Sequence, residues 1–433
     1  MKKFIGKILF PIFLAGFLLT GCKDIYSEKF MALEPVYMSY DDLRASVKMV
    51  NQQDLVKPGK IYTIGNYFYI NEYFKGVHVY NNINPASPQY IGFINIPGNV
   101  DIVVKDNILY ADSYVDLVAI DLSDPAKARE VGRAKNAFNY TVAPYNQSGY
   151  RVGKVDITKG VVVDWEVKRA FNVIGTQTYQ MFPIHFGSRY ADDFSQINTK
   201  LDALATSGGS SSGVGGSMAR FGLTGNSLLA VDRDYFYHFD LADQNNPKLY
   251  TKGYISFSPI IETMFLYGKY MFLGTRNGML VFDISDVNKP KYVSQFWHTT
   301  GCDPVVVQNN RAYITIRGGN LCRSLINRLD VLDITDILKP ALLRSYNMDN
   351  PYGLGISDNI LFVCDGTSGL KVYDATDPLL VAEHQLASFP NIQAYDVIPL
   401  GKSLLMIGSD GFYQYDYSDL KNIRQISVIQ TKK

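Results

Sequence analysis

Cysteine is scarce: there are four in 433 residues, with no CxxC spacing. That excludes a disulfide-built fold and the usual thiolate zinc sites. Histidine is nearly as rare, and His78, His185, His238, His298 and His384 form no HExxH or other close pair. The common zinc-hydrolase signatures are therefore missing. Charge is sparse too, at 19% of residues, against about 25% in an average soluble protein. The 42 Lys and Arg nearly balance 41 Asp and Glu, so no excess of one sign points to nucleic acid. No P-loop or dinucleotide fingerprint occurs. Gly209-Ser210-Ser211-Ser212-Gly213 matches GxSxG only in letters, because no strand-to-helix elbow surrounds it. Apolar residues are plentiful, at 47% with 31 Tyr and 24 Phe, which excludes a largely disordered chain.

The one long apolar run lies at the start. Lys2, Lys3 and Lys7 precede Ile8–Leu19, a stretch of signal-peptide length that is too short to span a bilayer comfortably. It ends in Leu19-Thr20-Gly21-Cys22, which resembles the lipobox of bacterial lipoproteins. The resemblance implies a signal peptide over 1–21, cleavage after Gly21 and a lipid on Cys22. Removing Lys2, Lys3 and Lys7 from the 42 cations leaves 39 against 41 acids, a mature balance of −2. Acyl chains would then hold the protein at the membrane, each buried CH₂ contributing about 0.8 kcal/mol. Lys23 after the Cys, in place of Asp, implies the outer membrane by the same resemblance.

Internal repetition organises the rest. Leu117–Asp124 (LVAIDLSD), Met279–Asp286 (MLVFDISD), Leu329–Asp336 (LDVLDITD) and Leu370–Asp377 (LKVYDATD) are variants of one element. Weaker copies end at Asp240/Asp243 and Asp416/Asp419, and a first copy carries Asn81/Asn84. The first acidic or Asn position falls at 81, 121, 240, 283, 333, 374 and 416. All but two of the steps are 40–43 residues, the length of a four-stranded propeller blade. The short segments between are rich in β-branched and aromatic residues and bounded by Gly, Asn, Asp or Pro, as strands are. The Asp-x-Ser/Thr-Asp element suits a turn whose side chains bond its own backbone better than a calcium loop. The expected fold is all-β: a β-propeller of seven four-stranded blades, with an insertion between the second and third repeats.

These copies resemble the LVIVD-repeat family of predicted β-propellers over about residues 57–430. The block Pro35–Asp42 is similar to the start of LVIVD-containing lipoproteins of Bacteroidetes-type bacteria. The family implies a fold and no settled activity.

The domain reading follows: signal peptide 1–21, lipid-anchored arm 22–56, propeller 57–433. One step of 119 residues hides the insertion, 137–217, which the blade order places as a lid over one end of the axis. Val152–Ile157 and Gly160–Val167 look like strands, yet the missing Asp turn favours an excursion over an eighth blade. Ile197, Leu201 and Leu204 have helical spacing, so 194–206 reads as a short amphipathic helix. Ser207–Ser217 reads as a flexible Gly/Ser loop. Ser39 with Asp42 predicts a capped helix start in the arm.

Superposing the repeats gives a candidate site. The innermost strands should begin near Lys60, Asp101, Arg220, Glu262, Asp303, Gly353 and Asp396, clustered around the axis. Six of these seven are charged. They form a candidate ligand funnel that is either closed by mutual salt bridges or able to hold a ligand; it admits a divalent cation, and no other cofactor is expected. Cys302 and Cys322 fall in loops of the same unit and could pair as a disulfide, contributing roughly 3 kcal/mol. Cys364, at the end of an apolar strand, reads as a buried thiol. Trp165 suits a binding aromatic or a core residue equally. The expected function is a non-enzymatic binding or scaffold lipoprotein of the cell envelope, with a protein or glycan partner. The alternative is a hydrolase or lyase that uses the acidic funnel.

Overall fold

The computed structural model describes residues 27–139, 150–173, 179–180, 214–255, 260–298, 304–318 and 326–432. Cys22, Cys302, Asp303, Cys322 and the 194–206 helix lie outside them. No described helix is long and apolar enough to cross a membrane. Two units form. One gathers chain before Tyr37 with 143–156 and 164–186; the other contains the remainder, including all seven blades.

Each blade is one contiguous antiparallel meander of four strands. Blade 1 is Pro58–Ile64, Tyr67–Glu72, Gly76–Asn81 and Gln89–Asn95, and blade 2 is Ile102–Lys105, Ile108–Ser113, Asp116–Asp121 and Arg129–Ala134. Blades 3 to 7 span 221–254, 261–297, 305–347, 354–389 and 394–430. Their second and third strands are apolar on both faces because each blade is covered by its neighbours. Leu280 and Val281 in blade 4, and Leu404 and Leu405 in blade 7, are fully buried. Outermost strands have neighbours on one side only and are more exposed: in Lys291–Trp297 only Ser294 is buried.

The Asp turns join third to fourth strands in all seven blades. In blade 4, Asp283 Oδ1 accepts from Ser285 N at 2.8 Å and Asp286 Oδ1 from Asn288 N at 3.0 Å. Asn81 and Asn84 do the same in blade 1, at 2.9 and 3.2 Å. The element is a double Asx turn.

Among the described residues, the ring closes by packing, without exchange of strands between blades 1 and 7. Phe68 of blade 1 stacks on Phe412 of blade 7 at 4.3 Å, within an apolar cluster that includes Ile61, Ile398 and Leu405. Asn82 and Gln414 exchange amide hydrogen bonds of 2.9 Å beside it. The arm adds Lys48–Val50 to the outer edge of blade 1. Helix Tyr40–Ala45 starts where the capping pair predicts, with Asp42 N donating to Ser39 Oγ at 3.1 Å.

The N-terminal segment also enters a sheet outside the blades. Its strand Ser27–Met38 lies in an eighth sheet, between Val161–Val173 on one side and Arg151–Gly153 followed by Tyr179–Gln180 on the other. Ser27–Met38 pairs parallel with Arg151–Gly153, so this sheet is no meander and no blade. Trp165 is buried.

Candidate functional site

The innermost strands converge at their starts on a pocket of about 570 Å³. Of the residues expected there, Lys60, Arg220, Glu262 and Asp396 line it. Asp101 sits behind Lys60, which it holds at 2.7 Å, and Gly353 packs against Asp396. Asp303 is outside the described residues.

Two of the axial acids, Asp101 and Asp396, are held by the protein's own donors. Asp101 and Asp396 are each only 2% exposed. Asp101 Oδ2 accepts the backbone N–H of Arg220 and that of Phe221, the latter at 3.1 Å. Its Oδ1 accepts its own Ile102 N–H at 2.8 Å. Asp396 Oδ1 accepts Ser217 N–H at 3.1 Å, Ser217 Oγ–H at 3.0 Å and Val397 N–H at 3.0 Å, while Met218 N–H reaches Oδ2 at 3.4 Å. Ser217 Oγ in turn accepts Leu354 N–H at 2.9 Å. Behind Asp101, Asp112 Oδ1 takes the N–H groups of Val100 and Asp101 at 2.8 and 2.9 Å.

These bonds define a strap, residues 214–221, that the sequence reading placed partly in a flexible loop. Val214 and Gly215 pair antiparallel with Thr63 and Tyr62 on the inner edge of blade 1. Gly216 and Ser217 are buried against Asp396 of blade 7, and Arg220 and Phe221 meet Asp101, next to blade 2, as the chain enters blade 3. Ala219 O also accepts the Met264 N–H of blade 4 at 2.8 Å, so six blades (1, 2, 3, 4, 6 and 7) are tied to one segment at the axis. Gly216 is required, because a Cβ there would stand 1.9 Å from Asp396 Oδ2. For 214–217 the expectation of looseness fails, because composition describes a segment alone, whereas two carboxylates from distant blades supply the order here; 207–213 lie outside the described residues.

Burial sets the electrostatics. Desolvation pushes the Asp396 carboxyl up to about 6 and that of Asp112 up to about 7, against the amide hydrogen bonds that favour their charged forms. Burial also lowers the Lys60 ammonium, opposed by Asp101.

The pocket side of the site carries cations that the repeat superposition missed. Arg276 Nε bonds Glu262 Oε1 at 3.0 Å. Arg317 lies 4.1 Å over the ring of Tyr352, whose centroid is 4.8 Å from that of Tyr395. Among the described residues, no carboxylate pairs with Arg317, and no three His, Cys, Asp or Glu side chains converge as metal ligands. Arg276 and Arg317 follow second strands, whose ends lie beside first-strand starts in an antiparallel meander. Carrying the superposition one strand further would have found both.

A family model described as the LVIVD repeat matches residues 98–135 and 263–296. The chain carries LVIVD repeats. Among solved structures, this LVIVD propeller is similar to a periplasmic gluconolactonase of Pseudomonas aeruginosa, at 9% identity and TM-score 0.51, over 87% of this chain and 97% of that one. It also aligns with BamB from Moraxella catarrhalis at 8% identity and TM-score 0.45, over 89% and 91% of the two chains. Both are β-propeller proteins, and at such identity the likeness concerns the fold alone. No curated protein matches the sequence. Cys364 is a fully buried thiol whose ionisation burial suppresses.

Proposed function

We propose that this LVIVD propeller is a lipid-anchored cell-envelope protein, held at the outer membrane through Cys22, that binds a protein or glycan partner without transforming it. The supporting observation is the use made of the axial acids. Asp101 and Asp396 accept protein N–H groups on both oxygens and fasten the strap, so they serve the fold. A general acid or base needs an oxygen within hydrogen-bond reach of substrate. One observation favours the hydrolase or lyase reading: the Asp396 carboxyl, pushed up to about 6, has the acidity that proton transfer near neutrality requires.

Two measurements test the proposal. Residues 22–433 immobilised on resin should recover a specific partner or glycan from envelope extracts; recovery of nothing specific would overturn the binding reading. In cells, Cys22→Ala should abolish incorporation of labelled fatty acid. Activity screening separates the enzyme reading, which requires a turnover that Asp396→Asn removes while the fold persists.

A further inference from the structure

The charge around the pocket is unevenly settled. Asp101 answers Lys60, and Glu262 answers Arg276. Asp232 lies 3.6 Å from Arg220 Nη1, outside hydrogen-bond range. Arg317 has an aromatic face and, among the described residues, no acid. A guanidinium stacked on a ring loses little freedom when its N–H fork meets an oxyanion, which makes it a prepared anion site. Tyr352 and Tyr395 line the same wall, their rings tilted 38° to each other. The remaining lining alternates polar groups with Pro58, Val100 and Pro304. That mixture matches a sugar, whose C–H faces stack on aromatic rings while its hydroxyl edges seek polar groups. At about 570 Å³ the pocket falls within the range of small-ligand sites.

We infer that this pocket binds a saccharide carrying a carboxylate, with Arg317 gripping the carboxylate and Tyr352 and Tyr395 receiving the sugar ring. The inference rests on the binding reading above and supplies its ligand class. It also gives the strap a role: by filling the axis from Gly215 to Arg220, it forms the floor on which such a ligand would rest.

The test is calorimetric titration of intact 22–433 with digalacturonate, its dimethyl ester and inorganic phosphate. Digalacturonate should bind, and the uncharged ester should bind at least about tenfold more weakly, as loss of one charged pair predicts. Arg317→Gln should lose about tenfold in affinity with an unchanged melting temperature, and Arg317→Lys should recover only part of it. Equal binding of acid and ester would overturn the carboxylate assignment. Phosphate binding as tightly as digalacturonate would overturn the sugar assignment, and full affinity in Arg317→Gln would overturn the residue assignment. If no probe binds while the immobilised chain still captures its partner, this inference fails and the binding reading stands; if capture fails as well, both fall.

Discussion

The outer turns and the axis of this propeller use one device, an aspartate accepting a backbone N–H, with opposite electrostatic results. At the rim, Asp333 Oδ1 accepts Thr335 N–H at 2.8 Å, and its carboxyl is held below the usual range by the Thr335 hydroxyl and amide. Asp121 and Asp374 behave alike. At the axis, Asp396 accepts more hydrogen bonds and yet burial pushes its carboxyl up to about 6. The hydrogen bonds do not differ in kind; the water does. A rim carboxylate keeps its hydration and gains donors. An axial one loses its hydration first, and the donors recover only part of that loss. The comparison teaches that a capping aspartate near the surface helps locally, whereas a buried one is costly alone and useful only as a clasp between distant segments.

Breaking a clasp should therefore cost most. Asp101→Ala takes from the half-buried Lys60 the carboxylate it bonds at 2.7 Å, and leaves the N–H groups of Arg220 and Phe221 without their acceptor. The expected loss is about 3–5 kcal/mol, as for one partner of a buried pair. Urea unfolding at pH 7 measures it, and a loss below about 1 kcal/mol would mean that water substitutes freely at the axis.

The second prediction concerns pH. Burial raises the Asp396 carboxyl from the ordinary 3.8 of an aspartate to about 6 in the folded chain. Between those values the folded chain binds more protons than the unfolded one, so this group's contribution to stability is complete below about pH 4 and declines as pH rises through 6. Two units correspond to about 3 kcal/mol at most. Asp396→Asn retains an Oδ1 for the Ser217 and Val397 donors and should flatten the decline. Urea midpoints at pH 4.5 and 7.5, compared with the parent chain, check it; an unchanged slope would place the titration elsewhere.

Next in size is Gly216→Ala. The added methyl meets the Asp396 carboxylate, so either the strap or the side chain must shift. Overpacking of this kind costs about 1–3 kcal/mol. Gly225→Ala is a control: its φ of +56° brings backbone strain, but a Cβ there meets nothing within 4 Å. Thermal melts of both variants separate crowding at the axis from conformational strain.

Legibility from sequence followed the same divide. The rim turns repeat every 40–43 residues over much of the chain, and their partners lie two residues away, so a single sequence displays them. Blade number, blade limits and the Asx reading came from that periodicity. The clasps join residues 119, 120 and 179 positions apart, and no local pattern announces such pairs. Superposition did bring Asp101 and Asp396 to the axis, as members of a charged ring either closed by mutual salt bridges or able to hold a ligand, and not as acceptors for a strap. Their burial depended on Val214–Ser217, whose glycines and serines have no composition of their own to signal order. The eighth sheet was hidden for the same reason: its parallel pairing of Ala32 with Arg151 leaves no trace in spacing.

The smallest expected effect lies at the rim, and it bears most directly on the comparison. Asp333→Asn keeps an oxygen for Thr335 N–H and removes only the charge that meets Arg311 at 2.9 Å on a partly exposed surface. Exposed pairs of this kind contribute about 0–1 kcal/mol. The chain already contains the substitution: Asn81 occupies the equivalent position in blade 1 and accepts from Ile83 N–H at 2.9 Å. At pH 7 the variant should thus remain within about 0.5 kcal/mol of the parent. Its pH signature should oppose that of Asp396. Because the folded value of Asp333 is depressed, its contribution is present above the unfolded value and disappears as pH falls through the folded one, so parent and variant should converge in acid. Urea unfolding at pH 7 and pH 3 measures both points. A loss at pH 7 as large as that of Asp101→Ala would show that rim carboxylates also work as clasps, and hydration would no longer be what separates the two regions.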